Sequence, residues 1–322
     1  MKMRKELIFA AAALMLAACS NDESMDNWAG EIRLSSALQT QEVQTRGTSQ
    51  TLQGTKIASG VKVGVFINEE NGGTSTTYTQ NAEYTSNGEG GWNNPPTTYF
   101  PQSGAGVEIY AYAPRQTDFA SVTGKYTFTV QPDQNSEVAD EKGYLASDLL
   151  WGKPAQNPVA RTSSPVAITF SHKLSKIDVT LTAGDGLTAD DLANAEVSIV
   201  KPRRNVDITM NTGVLSDPAN AENTKDVLMA TLPNSTTLTA SAIIPPQSFA
   251  QDAQFIKVKL VSKGELFYTL PAAITLNEGK VYKYEIKVNL TGLSLYSLEI
   301  VDWAAETGGG AYTGENGNAY MQ

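Results

Sequence analysis

Apolar and polar residues alternate with a period of two along most of the 322-residue chain, the pattern of strands that bury one face. The first such stretch, 31–38, sets Ile32, Leu34 and Leu38 against Arg33, Ser35 and Ala37. Residues 61–67 (VKVGVFI) are almost continuously apolar and predict a central strand, whereas 68–96, with NGG, NGEGG and NNPP, predict exposed turns. In 107–112 (VEIYAY), Val107, Ile109 and Ala111 share one side and Tyr110 and Tyr112 the other. Tyr126, Phe128 and Val130 repeat the alternation, and Leu149-Leu150-Trp151 close this half. The Pro-rich 153–165 (KPAQNPVARTSSP) predicts a link to a second half.

The second half opens with 166–181, where Ile168, Phe170 and Leu174 lie on even positions but Ile177, Val179 and Leu181 on odd ones. The inward face therefore changes phase near Ser175-Lys176, which a β-bulge or a passage between sheets explains. Residues 188–195 (TADDLANA) predict a short helix with Thr188 as N-cap and Asp191 facing the positive end of its dipole. Further strands are predicted over 196–200, 206–210, 227–232, 238–244, 255–261 and 266–270. In 281–288, Tyr282, Tyr284, Ile286 and Val288 form one face and Lys283, Glu285 and Lys287 the other, so one side packs and one is wet. A last strand over 293–303 carries Leu298, Ile300 and Trp303, and the Gly-rich tail 304–322 has too few apolar residues for a core. The expectation is an all-β chain in two tandem domains, 47–162 and 163–303, followed by a flexible tail.

The first nineteen residues break the alternation. Lys2, Arg4 and Lys5 precede an apolar run over 7–16, and small residues lead to Cys19, the layout of an export signal. Roughly ten apolar residues fall short of the about 20 that span a bilayer, so 1–18 is a processing segment rather than a fold element. Leu16-Ala17-Ala18-Cys19 resembles the bacterial lipoprotein box, which implies cleavage before Cys19 and a lipid on its thiol. An exported chain with a single cysteine has no internal disulfide to form, which fits a thiol consumed by lipidation. Ser20-Asn21-Asp22-Glu23 is similar to the acidic stretch that marks Bacteroidota lipoproteins for the outer face of the outer membrane. Beyond the first strand, 39–49 is polar except for Val43 and carries Arg46, an exposed loop of the kind proteases prefer.

Composition narrows the function. A net charge of −10, with 18% charged residues, argues against nucleic acid or an anionic membrane face as partner, since both need clustered Lys and Arg. One histidine and one cysteine leave no His/Cys zinc site and no Cys-His pair within one chain. Around His172 no Ser-His-Asp set assembles and no G-x-S-x-G elbow is present, so it reads as a structural side chain on a strand. Asp185-Gly186, Asp190 and Asp191 lack EF-hand spacing and read as a polar turn and a helix start. Gly308-Gly309-Gly310 lacks the strand-to-helix context of a phosphate loop. The expectation is a protein that is not an enzyme and takes no cofactor or metal. The tyrosines and Trp92 in the Gly/Asn-rich loop support an alternative, a surface β-sandwich lipoprotein that binds glycans on aromatic platforms.

The order of elements resembles the fimbrillin family of Bacteroidota, the Mfa-like and FimA-like subunits of the type V pilus. The resemblance rests on the lipoprotein box at 16–19, FSHKLSKIDVTL at 170–181, GKVYKYEIKVNLTGL at 279–293 and Glu299-Ile300-Val301-Asp302-Trp303, close to that family's terminal I-x-x-W. It implies two transthyretin-like β-sandwiches, export as a lipoprotein, and removal of a leader with the first strand by a trypsin-like protease. The opened groove then takes a strand from a neighbouring subunit of a surface fimbria that supports adhesion. Carried over to this chain, the cut falls between Arg46 and Gly47, the released leader is 19–46 with its lipid on Cys19, and strand exchange occurs where Ile32, Leu34 and Leu38 packed. The implied partners are other fimbrial subunits, the outer membrane, the processing protease and surface ligands. The implied donor is the C-terminal region, 293–303 or the tail, and the Gly-rich tail departs from the family in lacking the alternating apolar residues of a good donor strand.

Overall fold

The computed structural model describes residues 28–39, 56–72, 74–135, 137–138, 141–233, 237–261 and 263–303. The segment 1–18 that reads as an export signal, Cys19, Arg46, Gly47 and the tail 304–322 lie outside the described residues. The chain is all-β, with two single-turn helices, Gly143–Ala146 and Ala189–Leu192, among the described residues.

A seven-stranded sheet organises the first half, in the spatial order Leu34–Leu38, Val166–His172, Leu150–Lys153, Gly106–Ala113, Lys62–Asn71, Thr74–Ser86, Trp92–Asn93. The apolar run around Val63 and Ile67 takes an inner position there, buried on both faces as its composition requires. The two sides of Gly106–Ala113 feed different cores. Val107, Ile109 and Ala111 pack with Val63, Val65, Ile168 and Phe170 inside the sheet's curl, whereas Tyr110 and Tyr112 pack with Phe66 and Phe119 on its other face.

The second half is a β-sandwich. A five-stranded sheet built on Ser175–Ala183 and Lys280–Asn289 lies against a four-stranded one built on Glu196–Ile199 and Gln254–Leu260. Between them Val179, Leu181, Ile199, Phe255, Val258, Tyr284 and Ile286 are almost completely excluded from water, each contributing about 1.5 to 3 kcal/mol. Thr188 and Asp191 open the short helix as expected, the Thr188 N–H donating to Asp191 Oδ2 at 2.8 Å. The Lys263 ammonium, 2.8 Å away, and Thr188 together hold the Asp191 carboxyl down at about 2.

Three features differ from the sequence expectation. Residues 68–96 are not a run of turns: Thr74–Ser86 is a long strand paired with Lys62–Asn71. Its threonines and serines mask the alternation, yet threonine's branched Cβ suits an extended backbone. Val166–His172, placed by the sequence in the second domain, belongs to the first sheet, and the chain changes sheets across 173–174 before Ser175–Ala183. That passage accounts for the phase change read near Ser175-Lys176. Finally, the halves share material. Lys125–Thr129 pairs with Asn205–Thr209, and one cluster joins Phe66 and Tyr112 of the first half to Ile208, Ile243, Val281 and Trp303 of the second.

Candidate functional site: the slot filled by the leader strand

The seven-stranded sheet curls until its two ends approach, and the leader strand fills the gap. On one side Leu34–Leu38 pairs in parallel with Val166–His172, in the register Leu34 with Val166, Ser36 with Ile168 and Leu38 with Phe170. Around that ladder the Val166 N–H donates to Arg33 O at 2.7 Å and the Gln39 N–H to Phe170 O at 2.7 Å. On the other side the partner is the segment 90–100. There the Ile32 N–H donates to Thr98 O at 2.6 Å, the Ser36 N–H to Gly90 O at 2.8 Å, and the Phe100 N–H to Gly30 O at 2.8 Å. The leader is thus bonded along both edges, a stave rather than a flap.

Burial follows the predicted face. Ile32 and Leu38 are 6% and 8% exposed within the first core, and Leu34 is half-buried against it. Parallel neighbours at matched register put Val166, Ile168 and Phe170 on the same side, so the leader's inward residues lie over an apolar floor. Beside Leu38 a small pocket of about 50 Å³ opens between Ile57, Val61, Pro114 and Leu150. The outward side carries the Arg33–Glu31 ion pair, 2.7 Å long, and Arg33 holds the Glu31 carboxyl below its usual range.

Two tryptophans secure the leader, and the sequence did not reveal either role. Trp92 sits edge-on to Tyr84, with centroids 5.4 Å apart, and its Nε1–H donates to Leu34 O at 3.0 Å. Its hydrogen-bonding group and ring are therefore committed to the leader strand and the first core, so Trp92 is not free as an aromatic platform, whereas Tyr78 and Tyr99 are exposed. Trp28, four residues before Ile32, packs edge-on against Phe100 and lies under the Arg161 guanidinium at 4.9 Å. No alternation connects residues so far apart in sequence. An aromatic shortly before a strand is the only signal the chain offered.

The remaining candidates are structural. His172 closes the floor strand: its Nδ1 lies 2.9 Å from Asp148 Oδ1 and its ring stacks on Trp303 at 4.1 Å and 4°. Trp303 is buried, and its N–H donates to Gly279 O at 2.8 Å, so the end of the last strand is keyed to the end of the leader's floor. Asp190 and Asp191 sit at the helix start and Asp185 on an exposed turn, where its N–H donates to Asn289 Oδ1. Among the described residues no three His, Cys, Asp or Glu side chains converge as a metal site would need.

The C-terminal strand Gly292–Asp302 is the outermost of the five-stranded sheet, paired on one side with Lys280–Asn289. Leu298 and Ile300 are 39% and 45% exposed, and Tyr296, at 84%, occupies a register shift that leaves it without a cross-strand partner. Such a bulge blunts an open edge.

The sequence profile described as fimbrillin-like matches residues 45–303. A Bacteroides uniformis protein named as a candidate fimbrium subunit, Fim1C, is 25% identical across 98% of this chain and 100% of its own length. Two crystal structures of candidate cell adhesion proteins share the fold. One, from Bacteroides uniformis, has a TM-score of 0.62 at 23% identity over 85% of this chain and 98% of that one. The other, from Bacteroides ovatus, has a TM-score of 0.63 at 21% identity over 85% and 97%.

Proposed function

The chain belongs to the fimbrillin-like family, and on that premise we propose that it is a fimbrial subunit assembled by replacement of its leader strand. The family is one of structural subunits of surface fimbriae and adhesion proteins, not of enzymes. In the proposed course the chain is exported as a lipoprotein, held at the outer membrane through Cys19, and clipped between Arg46 and Gly47. The leader then leaves, and a strand from another subunit takes the place of Ile32, Leu34 and Leu38.

The observation that carries this reading is the leader's position between two backbone edges. Its departure would free the hydrogen-bonding groups of 90–100 on one side and of Val166–His172 on the other, and would uncover the floor beneath Ile32 and Leu38. Each regained ladder bond contributes about 0.5 to 1.5 kcal/mol and each re-covered aliphatic about 1.5 to 3, so the open slot favours refilling. A strand from a second subunit restores both sets of bonds, the β-augmentation mode of recognition. Repeated head to tail, such contacts do not close and give a filament.

Brief trypsin treatment of the full chain tests the proposal. The expected result is a fragment beginning at Gly47 that forms a ladder of oligomers on native electrophoresis, with Arg46→Ala remaining uncut there and monomeric. A Gly47 fragment that stays monomeric after the leader has dissociated would refute it.

A further inference from the structure

The trench that holds Ile32, Leu34 and Leu38 does not account for the leader's start, where a second recognition element adjoins the rim of the apolar floor. Trp28 rests against Phe100, centroids 6.3 Å apart at 74°, with the Arg161 guanidinium over its ring. Its indole N–H donates to Glu31 O at 2.8 Å, so the segment 28–31 turns on itself and presents the ring to the body of the protein. Gly30 makes that approach possible. A Cβ at this position would stand 2.3 Å from a guanidinium nitrogen of Arg161, and the backbone is at φ +100°, where L side chains are strained.

Both walls of this seat belong to the part of the chain that stays behind after a cut at Arg46. Phe100 is buried in the first core. Arg161 projects from an exposed connection, but that connection is fastened just before it. The Ile109 N–H donates to Asn157 Oδ1 at 2.8 Å, and Val159 exchanges backbone bonds with Val107 at 2.7 and 2.9 Å. The backbone that carries the cation is therefore anchored to a central strand rather than to the leader.

We propose that Phe100 and Arg161 form a specificity seat for the strand that replaces the leader, one that selects an aromatic residue followed two positions later by glycine. Counted from the first residue to enter the trench, the aromatic falls four places earlier and the glycine two, as Trp28 and Gly30 precede Ile32. The partner is an extended segment of another fimbrial subunit with the order aromatic-x-Gly-x-aliphatic-x-aliphatic. The trench supplies affinity for any alternating apolar strand, and the seat fixes its register, since a two-residue slip keeps the inward face but moves the aromatic off the guanidinium. This inference rests on the strand-replacement reading above.

The test uses the full chain with a site-specific protease sequence inserted after Arg46, so that Arg161 is never cut. After cleavage, the retained leader is displaced by fluorescent peptides of residues 28–39, either native or carrying Trp28→Ala or Gly30→Ala, and binding is followed by anisotropy. On the native body each altered peptide is expected to bind about tenfold more weakly than the native one. On Arg161→Gln the native and Trp28→Ala peptides are expected to differ by only about threefold, the Phe100 contact remaining, with Arg161→Lys in between. Equal binding of all three peptides to the native body overturns the seat while leaving strand replacement intact. If no peptide binds once the leader has gone, strand replacement itself fails and the seat falls with it.

Discussion

The leader strand Leu34–Leu38 and the C-terminal strand Gly292–Asp302 look alike as patterns and differ as parts of the molecule. Each alternates apolar with polar residues, and each stands at the end of a sheet order. The leader, however, is bonded on both sides because its sheet curls to meet it, and it buries Ile32 and Leu38. The C-terminal strand is bonded to one neighbouring strand, leaves Leu298 and Ile300 partly exposed, and is bulged at Tyr296. What holds it at its far end is Trp303, stacked on His172 and buried in the cluster shared by both halves. The contrast teaches that alternation fixes which way side chains point, while closure of the sheet decides what a strand is worth. One strand completes a core and leaves a slot when removed. The other covers the edge of a sandwich, with Leu293 and Leu295 against its core and Trp303 in the shared cluster.

Excising the leader should have the largest effect. Loss of three apolar side chains from the first core, roughly 5 to 9 kcal/mol, lowers the midpoint of calorimetric unfolding by at least about 10 °C in dilute monomer. Adding a peptide of residues 28–39 restores it. A leader whose loss left the midpoint unchanged would make the two strands equivalent and break the comparison.

Trp303→Ala comes next, at about 3 to 5 kcal/mol, because it empties a site in the shared cluster and unstacks His172. Chemical denaturation reads this directly, and proton exchange of the amides in 292–302 should rise with it. Leu38→Ala follows at about 2 to 4 kcal/mol, since the pocket beside Leu38 would enlarge rather than collapse. Its counterpart Leu298→Ser should change stability by no more than about 0.5 kcal/mol, as expected for a partly exposed position on an outer strand. A Leu298→Ser variant as damaging as Leu38→Ala would mean that the outer face of the last strand is packed in the native protein.

Much of this fold was legible because period-two alternation survives wherever one face is buried. Residues 281–288 run with Tyr282, Tyr284, Ile286 and Val288 inward as written, and VEIYAY at 107–112 divides its two faces between two cores. The long strand Thr74–Ser86 was not legible, because threonine and serine give no hydrophobic signal and the nearby NGG and NGEGG turns dominate the pattern. Of the candidate site, the inward residues Ile32, Leu34 and Leu38 could be read. The parallel pairing with Val166–His172 and the bonds to 90–100 could not, since both join segments that no local rule connects. The same holds for Trp28 and Arg161. Trp92 was misread for a related reason: a tryptophan among glycines and asparagines looks free until the strand that receives its N–H is in place.

If strand replacement builds the polymer, the slot of the assembled subunit holds a strand other than its own leader. Intact-mass measurement of subunits released from sheared, washed fimbriae tests it most directly. Chains that begin at Gly47 are expected, with no peptide containing residues 28–39 retained in the polymer. Polymerised subunits that still carry Trp28 to Leu38 in the slot would contradict it.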